Sequence, residues 1–141
     1  MRVLVTGASG FVGRRLLPAL ACAGHDALGV DREVDVCDFE ALAGVVAASR
    51  PEAVIHLAAL SSVAESFQDP EACRRVNVLG ARVLLAAVER AAPRARILLV
   101  GSAEAYAPTP PGSAPLREET RLRPRSPYAR SKAVAERLGR R

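Results

Sequence analysis

Met1-Arg2-Val3-Leu4-Val5-Thr6-Gly7-Ala8-Ser9-Gly10-Phe11-Val12-Gly13 decides the fold. Met1–Val5 is an apolar, β-branched run, and glycines then recur at positions 7, 10 and 13. A strand followed by this glycine spacing and opening into an amphipathic stretch reads as a dinucleotide site. The glycines allow a tight turn, a close backbone approach to a pyrophosphate and close packing of helix on strand. The loop Gly7-Ala8-Ser9-Gly10-Phe11-Val12-Gly13 would then present free N–H groups and a helix dipole to the phosphates.

Working outward, Phe11–Ala23 is predicted to be the first helix, with Val12, Leu16, Leu17 and Leu20 as its apolar stripe. Pro18 should cause a kink or a local adjustment, because an internal proline removes one hydrogen bond and clashes with the preceding turn. Gly24-His25-Asp26 is a turn, and Ala27-Leu28-Gly29-Val30 is the second strand. Asp31 at its end is placed to accept hydrogen bonds from an adenosine ribose, which favours NAD(H). The neighbouring Arg32 could accept a 2′-phosphate, which keeps NADP(H) as the alternative. Glu33–Asp38 leaves no room for a helix and is expected to form a short third strand, with Asp35 and Val36 beside the adenine and Asp35 accepting from its exocyclic amine.

Phe39–Ser49 reads as a short helix closed by Arg50-Pro51, and Ala53–Leu57 as a buried strand. Leu57, Ala58 and Ala59 at its carboxyl end leave space for a ligand, where open α/β sheets bind theirs. His56 reads as a strand-end residue with a satisfied hydrogen bond. Ser61-Ser62-Val63 is a loop, and Asp69-Pro70-Glu71 a strong helix start. That helix should run to about Ala91, with Asn77 beside its buried face, bonded to backbone or reaching the site. Ile97–Val100 is the fifth strand, Ala107–Pro127 a long proline-rich loop, and Ser126-Pro127 the start of a last helix from Tyr128.

The 141 residues suit one domain with a real core, and half of them are hydrophobic while only 4% are aromatic. Val, Leu and Ala dominate, which fits a parallel sheet covered by helices. No apolar run reaches a membrane span and the first residues lack a signal-peptide pattern, so a cytoplasmic chain without a membrane partner is expected. The three cysteines, Cys22, Cys37 and Cys73, are widely spaced and read as small buried residues or spare thiols; no metal site is expected. Residues 117–141 carry nine basic and three acidic side chains, against 11 and 12 in residues 1–116. A basic tail can meet nucleic acid or an anionic sugar nucleotide; a solvated arginine-rich helix face is the preferred reading, and nucleic acid is disfavoured. With 19 arginines the chain has a single lysine, Lys132.

Tyr128 and Lys132 lie four apart and share a helix face. An ammonium beside a phenol favours the phenolate, and such a tyrosine can exchange a proton with a sugar oxygen near neutral pH. Lys132 could also hold the nicotinamide ribose. Ser102, at the end of the fifth strand, can donate to the same oxygen, and Glu104 can supply a carboxylate.

Thr6-Gly7-x-x-Gly10-x-x-Gly13, Asp31, Asp35-Val36, His56-Leu57-Ala58-Ala59, Asn77, Ser102-x-Glu104-x-Tyr106 and Ser126-Pro127-Tyr128-x-x-Ser131-Lys132 together resemble the extended short-chain dehydrogenase/reductase family, the nucleotide-sugar epimerase/dehydratase group. The resemblance covers nearly the whole chain. It implies a Rossmann-type doubly wound parallel sheet with about five strands present, NAD(P), and hydride transfer at a sugar carbon. It also implies Tyr128 as acid/base with Ser102, Glu104 and Lys132 assisting. Three stretches look most like its GDP-mannose branch of GDP-mannose 4,6-dehydratases and GDP-4-keto-6-deoxymannose reductases: Ser61-Ser62-Val63, Gly101–Tyr106 and Leu122–Tyr128. These place Ser61, Ser62, Val63, Asn77 and Ser102 toward a GDP-sugar. The short link from the second strand to Asp35 looks more like the reductase. Ala103 stands where dTDP-glucose dehydratases carry aspartate, and Ala107 and Ala129 where the family usually has glycine. Family members run to about twice this length, so residues 1–141 would be an incomplete NAD(P)-binding domain without the last strands and the substrate domain. The group suggests homodimers through the long helices.

Overall fold

The computed structural model describes residues 1–140. Its centre is a four-stranded, wholly parallel sheet: β1 (Arg2–Thr6), β2 (Asp26–Val30), β3 (Ala53–His56) and β4 (Arg96–Leu99). The spatial order is β2-β1-β3-β4, with Leu4 beside both Leu28 and Val54, and Val54 beside Ile97. The chain leaves β1 toward one edge and returns to build β3 on its other side. The order therefore reverses between β1 and β3, and a crevice opens beyond their carboxyl ends.

The crossovers are helical. They are α1 (Gly13–Cys22), α2 (Phe39–Ser49), and a longer excursion of α3 (Val63–Gln68), α4 (Pro70–Arg74), a π-helical turn (Arg75–Leu79) and α5 (Gly80–Ala91). A 3₁₀ turn (Ala103–Ala105) and α6 (Pro127–Gly139) follow β4. One face of the sheet packs on α2 and α5, and Leu4, Val54, Leu42, Val46, Leu84 and Val88 form a core there with almost no exposed surface. Burying each such side chain is worth about 1.5–3 kcal/mol. The other face carries Val3, Val5, Ile55 and Leu98, with α1 beside β2. Leu98, at the edge, stays 57% exposed.

Caps written into the sequence start several helices. Asp38 Oδ1 accepts from the Ala41 N–H at 3.1 Å to open α2, and Asp69 Oδ1 accepts from the Ala72 N–H at 2.8 Å to open α4, with Pro70 at its first position. Arg50 closes α2 in the left-handed region at φ 45°, followed by Pro51.

Three expectations need correction. Residues 33–38 form no strand, so the sheet has four strands where about five were expected. Val34 N–H bonds to the Asp31 carbonyl, Asp38 N–H to the Asp35 carbonyl and Cys37 N–H to Asp35 Oδ1. Local acceptors thus take the groups that a sheet ladder would need. Pro18 is accommodated inside α1, which stays helical over ten residues. It lies on the exposed side, where the carbonyl it frees can face solvent. Ser61–Val63 is not simply loop, because Ser62 Oγ accepts from the Glu65 N–H at 3.2 Å and opens α3. Within the first helix, Val12 is 54% exposed and outside the packed stripe.

Candidate functional site

The crevice beyond β1 and β3 is a cleft of about 450 Å³. Its floor and sides bring together Gly7, Ser9, Gly10, Asp31, Arg32, Asp35, Val36, Leu57, Ala58 and Ala59, ten of the residues singled out from sequence. Val34, Leu60 and Val76 complete it; their apolar character gave no signal that separated them from core residues.

Gly7 makes the approach of the two chain segments possible. It sits at φ 71°, and a Cβ there would lie 2.6 Å from the Ala58 nitrogen. Gly13 opens α1 against the same loop, where a Cβ would lie 2.4 Å from the Ala8 carbonyl oxygen. Gly10 N–H bonds back to the Gly7 carbonyl at 3.1 Å. Beyond it, the N–H groups of Phe11, Val12 and Gly13 find no acceptor among the described residues, and Val12 offers no capping side chain. Three free donors in the turn that leads into the positive end of a ten-residue helix suit a pyrophosphate.

Asp31 ties this loop to β2. Its Oδ2 accepts from the Ser9 N–H at 2.8 Å, and its Oδ1 accepts from the Arg32 N–H at 2.9 Å. The Ser9 bond chiefly holds the carboxyl below its ordinary range. Asp31 is therefore anionic at neutral pH and keeps one lone pair on each oxygen for a hydroxyl donor. A backbone cradle, a fixed carboxylate and a cleft with apolar walls fit a dinucleotide. Phe11, Val12 and Gly13 follow the loop but do not line the cleft; the Phe11 ring is 73% exposed, with the Arg15 guanidinium 4.3 Å from its centroid.

The second group of candidate residues lies on and beside α6. Ser126 Oγ accepts from the Ala129 N–H at 3.0 Å, and Ser66 Oγ of α3 accepts from the Tyr128 N–H at 3.2 Å. Two hydroxyls from different elements thus fix the turn that presents Tyr128. One turn on, Lys132 is buried, and desolvation lowers its pKa. No carboxylate pairs with it among the described residues. The 3₁₀ turn, which Ser102 caps and which contains Glu104, packs against α6. Ser102 Oγ accepts from the Glu104 N–H at 3.2 Å, and Glu104 is exposed. Ser102, Glu104, Tyr128 and Lys132 do not line the 450 Å³ cleft.

Asn77 is 3% exposed and fully engaged. Its Oδ1 accepts from the Leu60 N–H at 2.8 Å, and its Nδ2 donates to the Leu60 carbonyl and to Ser131 Oγ, both at 2.9 Å. It therefore pins the cleft loop to α6 from within the π-helical turn, a feature that re-aims side chains. Ser61 is exposed, Ser62 serves as the α3 cap and Val63 begins that helix.

His56 meets the expectation of a satisfied strand-end residue. Its Nδ1 lies 2.7 Å from Thr6 Oγ1. Thr6 Oγ1 accepts from the Ala58 N–H at 3.4 Å, which leaves its hydroxyl proton to donate to His56. Burial, and secondly the Lys132 charge, push the His56 pKa down to about 4.

The model of the NAD dependent epimerase/dehydratase family matches residues 3–141. The chain belongs to this family. Among curated proteins, a GDP-6-deoxy-D-mannose reductase of Pseudomonas aeruginosa is 38% identical over 140 residues, covering 97% of this chain and 45% of the relative. Among solved structures of epimerase/dehydratase type, the Thermus thermophilus UDP-glucose 4-epimerase in complex with NAD superposes with a TM-score of 0.89. It is 34% identical over 97% of this chain and 49% of that one. RMD from P. aeruginosa complexed with NADPH gives 0.86 at 35% identity, over 98% and 47%. The chain thus spans about half the length of the relatives it matches. Among the described residues no helix is long and apolar enough to cross a membrane.

Proposed function

We propose that this chain carries the cofactor-binding half of an NAD(P)-dependent nucleotide-sugar oxidoreductase, closest in character to a GDP-4-keto-6-deoxymannose reductase. The observation that carries the reading is the cleft beyond β1 and β3, lined by Gly7, Ser9 and Gly10 of the glycine loop and by Asp31, with the N–H groups of Phe11, Val12 and Gly13 unpaired in the turn that follows. The GDP-6-deoxy-D-mannose reductase at 38% identity supports the reductase reading, with a nucleotide-sugar epimerase or a GDP-mannose 4,6-dehydratase as the alternatives. Gly7, Ser9, Gly10, Phe11, Val12 and Gly13 would hold the pyrophosphate, Asp31 the adenosine ribose, and Asp35 with Val36 the adenine. Arg32 lines the same cleft, which keeps NADP(H) as the alternative to NAD(H). When bound, the nicotinamide supplies a hydride to a sugar carbon. Tyr128 gives a proton to the sugar oxygen, Ser102 donates a hydrogen bond to it, and the Lys132 ammonium favours the phenolate left behind. Glu104 assists as a carboxylate. Ser61, Ser62, Val63 and Asn77 border the sugar-nucleotide side, and the protein acts in the cytoplasm.

The test is a titration with NADH and NADPH, following nicotinamide fluorescence and melting temperature together. Saturable binding with a raised melting temperature is expected; a folded chain that binds neither overturns the reading. In a version with the substrate half, Tyr128→Phe should abolish turnover while cofactor binding survives, and undiminished turnover removes Tyr128 from its role. A second reading is dinucleotide binding without turnover by residues 1–141 alone. It is favoured because Ser102, Glu104, Tyr128 and Lys132 do not line the cleft. A steady rate with a sugar nucleotide at high protein concentration refutes it.

A further inference from the structure

Asp35 lines the cleft between two valines, and both of its carboxylate oxygens are held. Oδ1 accepts from the Cys37 N–H at 2.9 Å, and Oδ2 accepts from Arg75 Nη2 at 2.7 Å. Arg75 is the first residue of the π-helical turn, 40 positions along the chain. The segment around Asp35 meets this stretch at two further points, one in the turn and one at Gly80, where α5 begins. Cys37 Sγ approaches the Arg75 carbonyl at 3.4 Å, and Val36 Cγ2 packs so closely on Gly80 that a Cβ there would lie 2.9 Å away. Of these contacts, only the ion pair fixes a polar group that faces the cleft.

We infer that Arg75 is a positioning residue that sets purine selectivity, by locking the Asp35 carboxylate as an oriented acceptor for a 6-amino group at the adenine end of the cleft. The inference rests on the reading that the cleft holds the adenosine of NAD(P). A carboxylate is acceptor-only, and each of its oxygens keeps a lone pair after its protein partner is counted. It therefore receives the amine of adenine and repels the 6-oxo group of hypoxanthine. The Cys37 N–H and the Arg75 charge both hold the Asp35 carboxyl below its ordinary range, so the acceptor stays ionised throughout the neutral region. Without Arg75 only Cys37 would hold the carboxylate, and only by one oxygen. The side chain could then rotate out, because both members of the pair are about half exposed.

The experiment compares the dissociation constants of NADH and its hypoxanthine analogue by nicotinamide fluorescence, on the full chain and its variants, with melting temperature recorded alongside. The unsubstituted chain should prefer NADH by about tenfold, the worth of one hydrogen bond to a charged group. Arg75→Ala should cut that preference to about threefold, in line with a half-exposed ion pair. Arg75→Lys should keep most of it. Asp35→Asn should bring it close to one. A merely structural Arg75 would lower the melting temperature and weaken both ligands equally, leaving the ratio unchanged; that result overturns the inference. Should Arg75→Ala fail to fold, Arg75→Gln, which keeps the length of the side chain without its charge, makes the same comparison. If Asp35→Asn leaves the ratio intact while NADH still binds, Asp35 does not face the purine and the inference falls with the adenine placement alone. If neither dinucleotide binds the folded, unsubstituted chain, the proposed function itself falls.

Discussion

Two helix N-termini in this chain are finished in opposite ways. At α6, Ser126 Oγ takes the Ala129 N–H and Ser66 Oγ takes the Tyr128 N–H. At α1, no side chain caps the end, and the N–H groups of Phe11, Val12 and Gly13 have no acceptor among the described residues. A helix end leaves its first donors without an intrahelical partner and must find others for them. The sealed end fixes a tyrosine in place. Under the proposed function the open end keeps its donors for an anion, and the glycines around it leave out side chains that would stand in the way.

The largest effect should come from closing the open end sterically. Gly7→Ala meets the Ala58 backbone at 2.6 Å from a left-handed φ, and Gly13→Ala meets the Ala8 carbonyl oxygen at 2.4 Å. Neither obstacle is a flexible side-chain tip, so the backbone itself must move. Each substitution should cost about 3 kcal/mol or more of stability in urea unfolding and eliminate NADH binding. Gly44→Ala is the control, since nothing lies within 4 Å of its added Cβ; it should be neutral to stabilising by up to about 1 kcal/mol. A Gly7→Ala chain that keeps both its stability and its binding would show that the loop is not the cradle described.

The second difference is charge. The open end favours a ligand anion, whereas the buried side of α6 holds the Lys132 cation close enough to His56 to help depress it. His56 falls from 6.5 to about 4 on folding. The unfolded chain therefore binds the extra proton first as pH drops, and stability is lost between about pH 6.5 and pH 4. A shift of this size on a buried histidine corresponds to about 3 kcal/mol. Urea unfolding at pH 7 and at pH 4.5 should show most of that loss, and His56→Gln should remove its His56 share. An unaltered pH slope in the variant would assign the acid sensitivity elsewhere.

Lys132 makes the converse case. Desolvation lowers its pKa, so in the neutral range folding buries a cation at a cost, which is relieved only as pH rises through the lowered folded-state value. Lys132→Met keeps the length of the stem and drops the charge. It should raise stability by about 1 kcal/mol while the full-length protein loses turnover. A large loss of stability instead would mean that the ammonium has a structural partner.

Much of this was legible in the chain, and the failures share one cause. The strands around Leu4, Val54 and Ile97, the α2 bounds Phe39–Ser49 and the caps at Asp69 and Ser126 follow from periodicity and capping chemistry that act over a few residues. The cleft residues followed from glycine spacing and from the rule that ligands sit at strand ends. Residues 33–38 leave no room for a helix, which pointed to a short strand, yet Asp35 supplies its own acceptor to Cys37 and makes a turn. Arg75 and Ser66 gave no signal, since each works through a partner 40 and 62 residues away. Asn77 was legible as polar beside an apolar face. The π-helical turn that aims it at Leu60 and Ser131 was not.

The smallest effect sharpens the comparison at the sealed end. Ser126→Ala removes the cap on Ala129 and should cost about 1 kcal/mol. Ser66→Ala removes the acceptor for Tyr128 N–H and also the hydroxyl that donates to the Val63 carbonyl at 2.7 Å, at a site only 2% exposed. The two hydroxyls hold adjacent N–H groups of one turn, so their losses should not add independently. With Ser126 gone, the first turn of α6 can fray, and Ser66 then has less to hold. The double variant should therefore lose less stability than the sum of the single ones. It should also lower turnover of the full-length protein more than NADH affinity, because α6 carries Tyr128 while the open end of α1 is untouched. Equal losses in turnover and affinity would mean that the two ends are coupled through the fold, and not finished separately for a proton donor and for a phosphate.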